Sequence, residues 1–407
     1  MAVFWKGTLS AAGRAGDIGT LSYDPLLHDV ALPLSGTFYA LGFRVDISTN
    51  SRAVLEAAAE SWGRYGPEFP SPPVVLHIVV RPGGDPAPAP ASEPEPAAAP
   101  EPARVSAPAS EPDPPPARSS APAAAPEPAL ARAPEPAPAA APEPVRAPTP
   151  APAPEPVVRT QRHYFSIVSD RDNFAAYDSH TFFGYCFVTE RTAADRSWFR
   201  FFYLETMAYM LLAQRYAMPL HAAAVAHKGI GALLYGHAGA GKSTLAWACA
   251  RAGWTYITDD GAWLLPVAGE RTVLGRCHQI RFKSDAPRLF PELQRYAARP
   301  GPNGKLSIEV PLADFPQLRT ASRCHIACVV VLDRRSRAAA CAEPVSAEEV
   351  AGLLLGDMPR YEAEVRARYE TAVGKLLHAP CHRLTYDNPE DAIRVLTEIL
   401  HSSHPLP

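Results

Sequence analysis

The chain has 407 residues, 47% of them hydrophobic and 20% charged, with a formal net charge of −3. This is enough apolar content for one or two packed domains, and the near-balanced charge gives neither the basic field of a nucleic-acid binder nor a polybasic membrane face. The 7 cysteines are scattered, odd in number and without a C-x-x-C pair, so they predict neither a disulfide framework nor a cysteine zinc site.

The opening stretch, MAVFWKGTLSAAGRAGD, lacks the basic segment and apolar run of a signal peptide. The longest apolar runs, such as Ala327 to Leu332, are far shorter than a membrane span. The expectation is a soluble, cytoplasmic protein with no membrane partner. Within residues 1–81, FYALGFRVDIST predicts a strand pair, SRAVLEAAAESWGRYG a helix, and PPVVLHIVV a further strand. Residues 82–158 are almost wholly Pro, Ala and Glu and hold most of the 46 prolines. Proline removes backbone donors and the few large apolar residues cannot build a core, which predicts a disordered, extended spacer with polyproline II character. Beyond it, HYFSIVSD, NFAAYDS and TFFGYCFVTE read as strands, and a long amphipathic helix is predicted from Ala194 to Tyr216.

The strands on the two sides of the Pro/Ala/Glu tract are expected to share one sheet. Residues 1–81 and 159–217 then form a small α+β region, with the tract inserted in a surface loop. Two domains on a flexible tether are the alternative. Residues 218–407 form the second region. It begins with a strand (Ala222 to Ala226), a turn at Lys228-Gly229 and a strand (Gly231 to Tyr235). A Gly-rich loop, a helix (Lys242 to Ala252) and a strand (Trp254 to Thr258) ending at Asp259-Asp260 follow. Strands at Leu306 to Val310 and Ile326 to Leu332 come next. The chain ends with helices at Ser346 to Leu355 and Pro359 to Leu377, the strand CHRLTY, and a helix from Pro389 to His401 capped by Asp387 or Asn388. Alternating strands and helices predict an α/β fold.

The segment GALLYGHAGAGKSTLAWACARAG carries the P-loop pattern G-x-x-x-x-G-K-S/T: Gly236, His237, Ala238, Gly239, Ala240, Gly241, Lys242, Ser243 and Thr244. Glycines let the backbone turn tightly and bring its N–H groups onto phosphate oxygens, and the following helix N-terminus adds to that anion site. Lys242 would reach the β- and γ-phosphates of ATP, and Ser243 would hold Mg²⁺. An apolar strand before the motif and a helix after it are the context it requires. His237 occupies a variable loop position and reads as a bystander.

Phosphoryl transfer also needs a metal ligand and a group that takes the acceptor's proton. Asp259-Asp260 ends the strand after the P-loop helix, at the P-loop edge of a parallel sheet. Two adjacent carboxylates there repel each other unless a cation lies between them. Asp333, ending HIACVVVLD, is the competing acid; its bland reading is a strand terminus turning into Arg334 and Arg335. His221 precedes the hairpin before the P-loop. Arg276, Arg281 and Lys283 could meet phosphate or line a solvated strand edge.

The stretch LHAAAVAHKGIGALLYGHAGAGKSTLAWACARAGWTYITDDGAWL, Leu220 to Leu264, resembles the catalytic core of the HPr kinase/phosphorylase family. The resemblance implies a PEP-carboxykinase-like P-loop domain and ATP-dependent phosphorylation of a serine on a protein or peptide. By position His221, Lys242, Ser243, Asp259 and Asp260 match the family's functional residues, which implies one aspartate as base and the other near the metal; the sequence does not say which, and Asp260 is taken with Ser243 on the metal side. The family's Arg-Gly-Leu-Gly stretch has no match, which points away from HPr itself as substrate and from phosphorolysis. The expectation is a kinase using ATP and Mg²⁺ on a protein or peptide acceptor, with homo-oligomerisation left open. The alternatives are a regulatory module that binds ATP without transferring phosphate, and a generic P-loop ATPase using Asp333.

Overall fold

A computed structural model of the chain describes residues 30–82, 154–266, 271–301, 304–358 and 361–403. The opening stretch and the bulk of the Pro/Ala/Glu tract, 83–153, lie outside the described residues. The end of that tract does not: Val157 and Val158, predicted as spacer, open a strand.

The first sheet holds seven strands in the order β1-β2-β3-β7-β6-β5-β4. These are β1 (Leu34–Ala40), β2 (Phe43–Thr49), β3 (Val74–Arg81), β4 (Val157–Gln161), β5 (Tyr164–Val168), β6 (Phe174–Asp178) and β7 (Phe183–Thr189). The sheet thus joins strands from both sides of the tract, and β3 runs parallel to β7 along its whole length. Leu41 and Gly42 both take positive φ (53° and 87°), the geometry a two-residue hairpin loop needs to match the strand twist. Helix α1 (Arg52–Trp62) carries the crossover from β2 to the parallel β3. Val45, Ile47, Leu76, Ile78 and Cys186 face inward at alternate positions and pack with Trp62, Tyr203, Leu204 and Met207.

The helix predicted from Ala194 to Tyr216 is not one continuous α-helix. Short α2 (Glu190–Ala194) ends at Asp195, which caps α3 (Arg196–Phe199) by accepting from Trp198 N. A π-helical turn over Arg200–Leu204 then leads into α4 (Glu205–Arg215). The apolar periodicity was the same throughout, so only the cap and the widened turn distinguish the pieces.

The second sheet runs β17-β11-β9-β10-β18-β13-β12-β8, with β20 beside β18 and β19 beside β20; β17 is Arg319–Thr320 and β19 is Cys341–Pro344. Its central strands are β9 (Ala222–His227), β10 (Ile230–Tyr235), β11 (Thr255–Thr258) and β18 (Arg323–Arg334). β20 (Cys381–Tyr386) lies outside them, and β8 (Met218–Leu220), β12 (Ala262–Leu264) and β13 (Thr272–Leu274) complete the far side. Lys228 and Gly229 (φ 49° and 85°) close the β9–β10 hairpin. Alternate residues of β10 point to opposite faces. Ala232 and Leu234 pack with Trp247, Cys249 and Leu396 beneath α5 (Lys242–Arg251) and α8 (Pro389–Ser403). Leu233 and Tyr235 pack with Leu354, Tyr369 and Val373 beneath α6 (Ala347–Gly356) and α7 (Ala363–Leu376). The result is a mixed α/β layer sandwich. Helix α7 starts at Ala363, not Pro359, and residues 359–360 are outside the described set. Asn388, not Asp387, serves the last helix: its Oδ1 accepts from Glu390 N at 2.8 Å, while Asp387 accepts from Arg337 N.

The sheet is not parallel around the P-loop strand, as the sequence reading had it. β10 pairs antiparallel with β9 and parallel with β18, and β11 pairs antiparallel with β9. Two reversals return β11 to the direction of β10. The end of β11, the start of β9 and the end of β18 therefore all reach the edge where β10 ends.

Candidate functional site

At that edge the chain turns from Tyr235 through Gly236–Gly241 into α5. Gly239 and Gly241 both have φ 93°, a left-handed backbone that side-chain-bearing residues rarely adopt. A Cβ on Gly241 would lie 2.5 Å from the Tyr386 hydroxyl, which donates to Ala240 O at 3.0 Å. The loop is thus fastened from β20, and no side chain fits at its tightest point. His237, Ala238 and Gly239 are exposed, and the His237 ring sits edge-on to Tyr235. Ser243 and Thr244 follow in the first turn of α5.

Lys242 is buried (7% exposed), and its Nζ donates to Gly236 O at 2.6 Å and meets His221 Nε2 at 3.1 Å. Burial lowers the lysine's pKa from its ordinary value, against the opposing pull of Asp260, Asp357 and Asp259. On the far side of the imidazole, His221 Nδ1 lies 2.8 Å from Asp260 Oδ1. The network is satisfied when Nδ1 carries the proton to Asp260 and Nε2 accepts from Lys242. Lys242, His221 and Asp260 thus form one hydrogen-bonded row, with the His221 and Asp260 side chains open to solvent.

Asp259 faces the other way and is buried. Burial raises its pKa, opposed by hydrogen bonds from the Ser243 side chain, the Tyr256 hydroxyl and the Arg281 backbone; its neighbour Asp260 raises it further. Tyr256 donates to Asp259 Oδ1 at 2.9 Å, sharing its one hydrogen with Gln279 O at 3.1 Å, and Arg281 N reaches Asp259 Oδ2 at 3.4 Å. The paired acids are therefore unlike. One is interior and held beside Ser243; the other is exposed and turned to His221.

The remaining candidates separate. The Asp333 carboxylate is engaged by Arg335 at 2.6 Å. Arg276 is partly exposed, paired with Glu205 at 3.4 Å and 5.9 Å from the Tyr209 ring centre, so it is engaged with α4. Arg281 pairs with Glu309. Lys283 differs: its Nζ lies 3.5 Å from where a Cβ on Gly239 would stand, over the loop. Sequence reasoning missed two groups. Tyr386 ends CHRLTY and pins the loop. Asp357, just past α6, accepts from Tyr235 Oη at 2.7 Å and lies close enough to act on Lys242. Neither stands near the motif in sequence, and only the pairing of β20 with β18 and the packing of α6 on β10 bring them in.

Comparison with known proteins adds little. No protein-family profile matches the chain. No curated protein matches it either. Among solved structures, an Hpr(Ser) kinase/phosphatase from Coxiella burnetii is similar over 46% of this chain and 96% of its own, with 13% identity and a TM-score of 0.24. A score that low carries no weight for fold or function.

Proposed function

We propose that the chain is an ATP-dependent phosphotransferase that moves the γ-phosphoryl group of ATP to a hydroxyl, with serine on a protein or peptide as acceptor. The observation that carries this is the row Lys242–His221–Asp260 beside the P-loop, which joins a phosphate-binding cation to an exposed base. In this reading residues 218–407 are a PEP-carboxykinase-like kinase domain related to HPr kinase, with residues 1–81 and 159–217 as a separate small region. The missing Arg-Gly-Leu-Gly stretch favours an acceptor other than HPr.

The residues present suit ATP and Mg²⁺. The loop is a cradle whose glycines keep side chains away from the anion, and Ser243 with the aspartates offers the hard oxygen donors Mg²⁺ takes. The ion, when bound, supplies charge neutralisation between the β- and γ-phosphates. Since Ser243 sits beside Asp259, we assign Asp259, rather than Asp260, to the metal side. Asp260, oriented by His221, faces the acceptor. Its carboxylate takes the hydroxyl proton as the acceptor oxygen bonds to the γ-phosphorus and the bond to the ADP oxygen breaks. Lys242 and Lys283 hold the phosphates in line.

Incubating the purified chain with γ-labelled ATP, Mg²⁺ and a lysate of the source cell tests this. Label on a discrete protein, lost in an Asp259→Asn/Asp260→Asn variant, supports transfer. ATP binding without transfer would return the non-catalytic regulatory module to first place.

A further inference from the structure

A second cluster of chemistry-bearing side chains lies at one end of the first sheet, on strands that do not carry the P-loop. Arg162 and His163 form the two-residue loop between β4 and β5, which closes on the pair Gln161 and Tyr164. Residues 179–182 join β6 to β7. Because Tyr164 pairs with Asp178, the two loops are neighbours. The His163 and His180 rings stack with centroids 4.1 Å apart and planes 9° apart. One donor atom from each of His163, Asp178 and His180 lies within 4.8 Å of the others.

The surroundings hold these groups in place. His163 O accepts from both Ser179 N (3.0 Å) and Ser179 Oγ (3.2 Å), which ties one loop to the other. Asp178 accepts from His180 N at 2.9 Å and from Thr181 Oγ1 at 2.9 Å, which fixes the carboxylate and the backbone that carries the second histidine. Hydrogen-bonded carboxylates and constrained ligand backbones are what outer-shell groups give metal sites. His163 and Asp178 are half-buried and His180 is exposed, so an ion can enter from solvent.

We propose that His163, Asp178 and His180 form a binding site for a borderline divalent transition metal such as Zn²⁺. Two imidazoles and one carboxylate are the donor set of Zn²⁺, Ni²⁺ and Cu²⁺, not of Mg²⁺ or Ca²⁺, which prefer all-oxygen shells. Zn²⁺ at about 2.1 Å from its ligands needs donors about 3.4 Å apart, so the two rings must converge by rotation about their own side-chain bonds. The remaining coordination positions go to water. The ion would clip the β4–β5 and β6–β7 loops together, so the site is structural and independent of the P-loop reading.

Calorimetric titration of Zn²⁺ into the full chain, without nucleotide, tests the site against His163→Gln, His180→Gln and the double variant. The expected result is one saturable Zn²⁺ whose affinity falls at least tenfold in each single variant and is lost in the double variant. Zn²⁺ should also raise the melting temperature of the wild type and not of the double variant. Cu²⁺ in the same site should show hyperfine coupling to two imidazole nitrogens. Equal Zn²⁺ affinity and stoichiometry in the wild type and the double variant would overturn the proposal, because binding would then lie elsewhere, for instance at exposed Cys341. Absence of saturable binding by the wild type would overturn it as well. The variants alter loop residues, one half-buried and one exposed, and an unchanged far-UV circular dichroism spectrum confirms that they fold.

Discussion

His221 and Lys242 stand 21 residues apart in sequence and 3.1 Å apart in space. The contact exists because β9 runs against β10: the residue before β9 and the residue opening α5 meet at one sheet edge. It gives the lysine a second partner beside Gly236 O, and a buried ammonium without partners is costly.

Lys242→Ala should abolish turnover and weaken ATP binding, on the order of 10²-fold or more by analogy with removing one fixed donor from a developing anion. Titration calorimetry with ATP and transfer of γ-label measure the two effects. Unchanged affinity and turnover would sink the P-loop assignment.

His221→Ala should act mainly on the transfer rate. With the imidazole gone, Asp260 loses its orienting partner, and a loss of about 10²- to 10⁴-fold in kcat is expected, as for removal of a general-base element, with a smaller change in ATP affinity. Steady-state kinetics separates the terms. A rise in KM alone would mean that His221 only shapes the nucleotide site.

Asp259 makes a pH prediction. Its folded pKa is raised, so the folded state holds the proton more tightly than the unfolded chain does. As pH rises from the ordinary carboxylate range through the raised pKa, ionising Asp259 costs the wild type stability that an Asp259→Asn variant keeps. The stability difference between wild type and variant should shift in the variant's favour across that window and level off above it. Denaturant unfolding at several pH values without Mg²⁺ measures this; a flat difference would show that the hydrogen bonds of Ser243, Tyr256 and Arg281 fully offset burial.

Gly241→Ala should destabilise the fold by about 1–3 kcal/mol, because the residue keeps a positive φ and its new methyl group meets the Tyr386 hydroxyl. Adding Tyr386→Phe removes the hydroxyl but not the strained backbone, so it should restore only part of the loss. Thermal melting follows both. Full recovery in the double variant would mean that contact, not φ, sets the cost.

Replacing residues 84–151 with a short Gly/Ser linker should leave ATP affinity within about twofold. Four strand spacings separate β3 from β4, about 19 Å, which about ten flexible residues span. Fluorescent-nucleotide binding measures it, and a collapse of folding would show that the tract is structural.

Much of this protein is determined by local sequence. Alternation marked β1 to β3 and β5 to β7, because a half-buried strand must alternate. The glycines at 236, 239 and 241 marked the loop, because 239 and 241 take a left-handed backbone and a Cβ on 236 would meet Ala240 at 2.7 Å. Paired carboxylates and a histidine near that loop were visible as candidates. Their different surroundings were not, since Asp259 and Asp260 are chemically identical neighbours and only the fold buries one and exposes the other. The mixed direction of the second sheet, the pinning of the loop by Tyr386, the approach of Asp357 and Lys283, and the pairing of His163 with His180 were decided by tertiary structure. Each joins residues far apart in the chain through strand register and helix packing, and no local periodicity records which strand lies beside which.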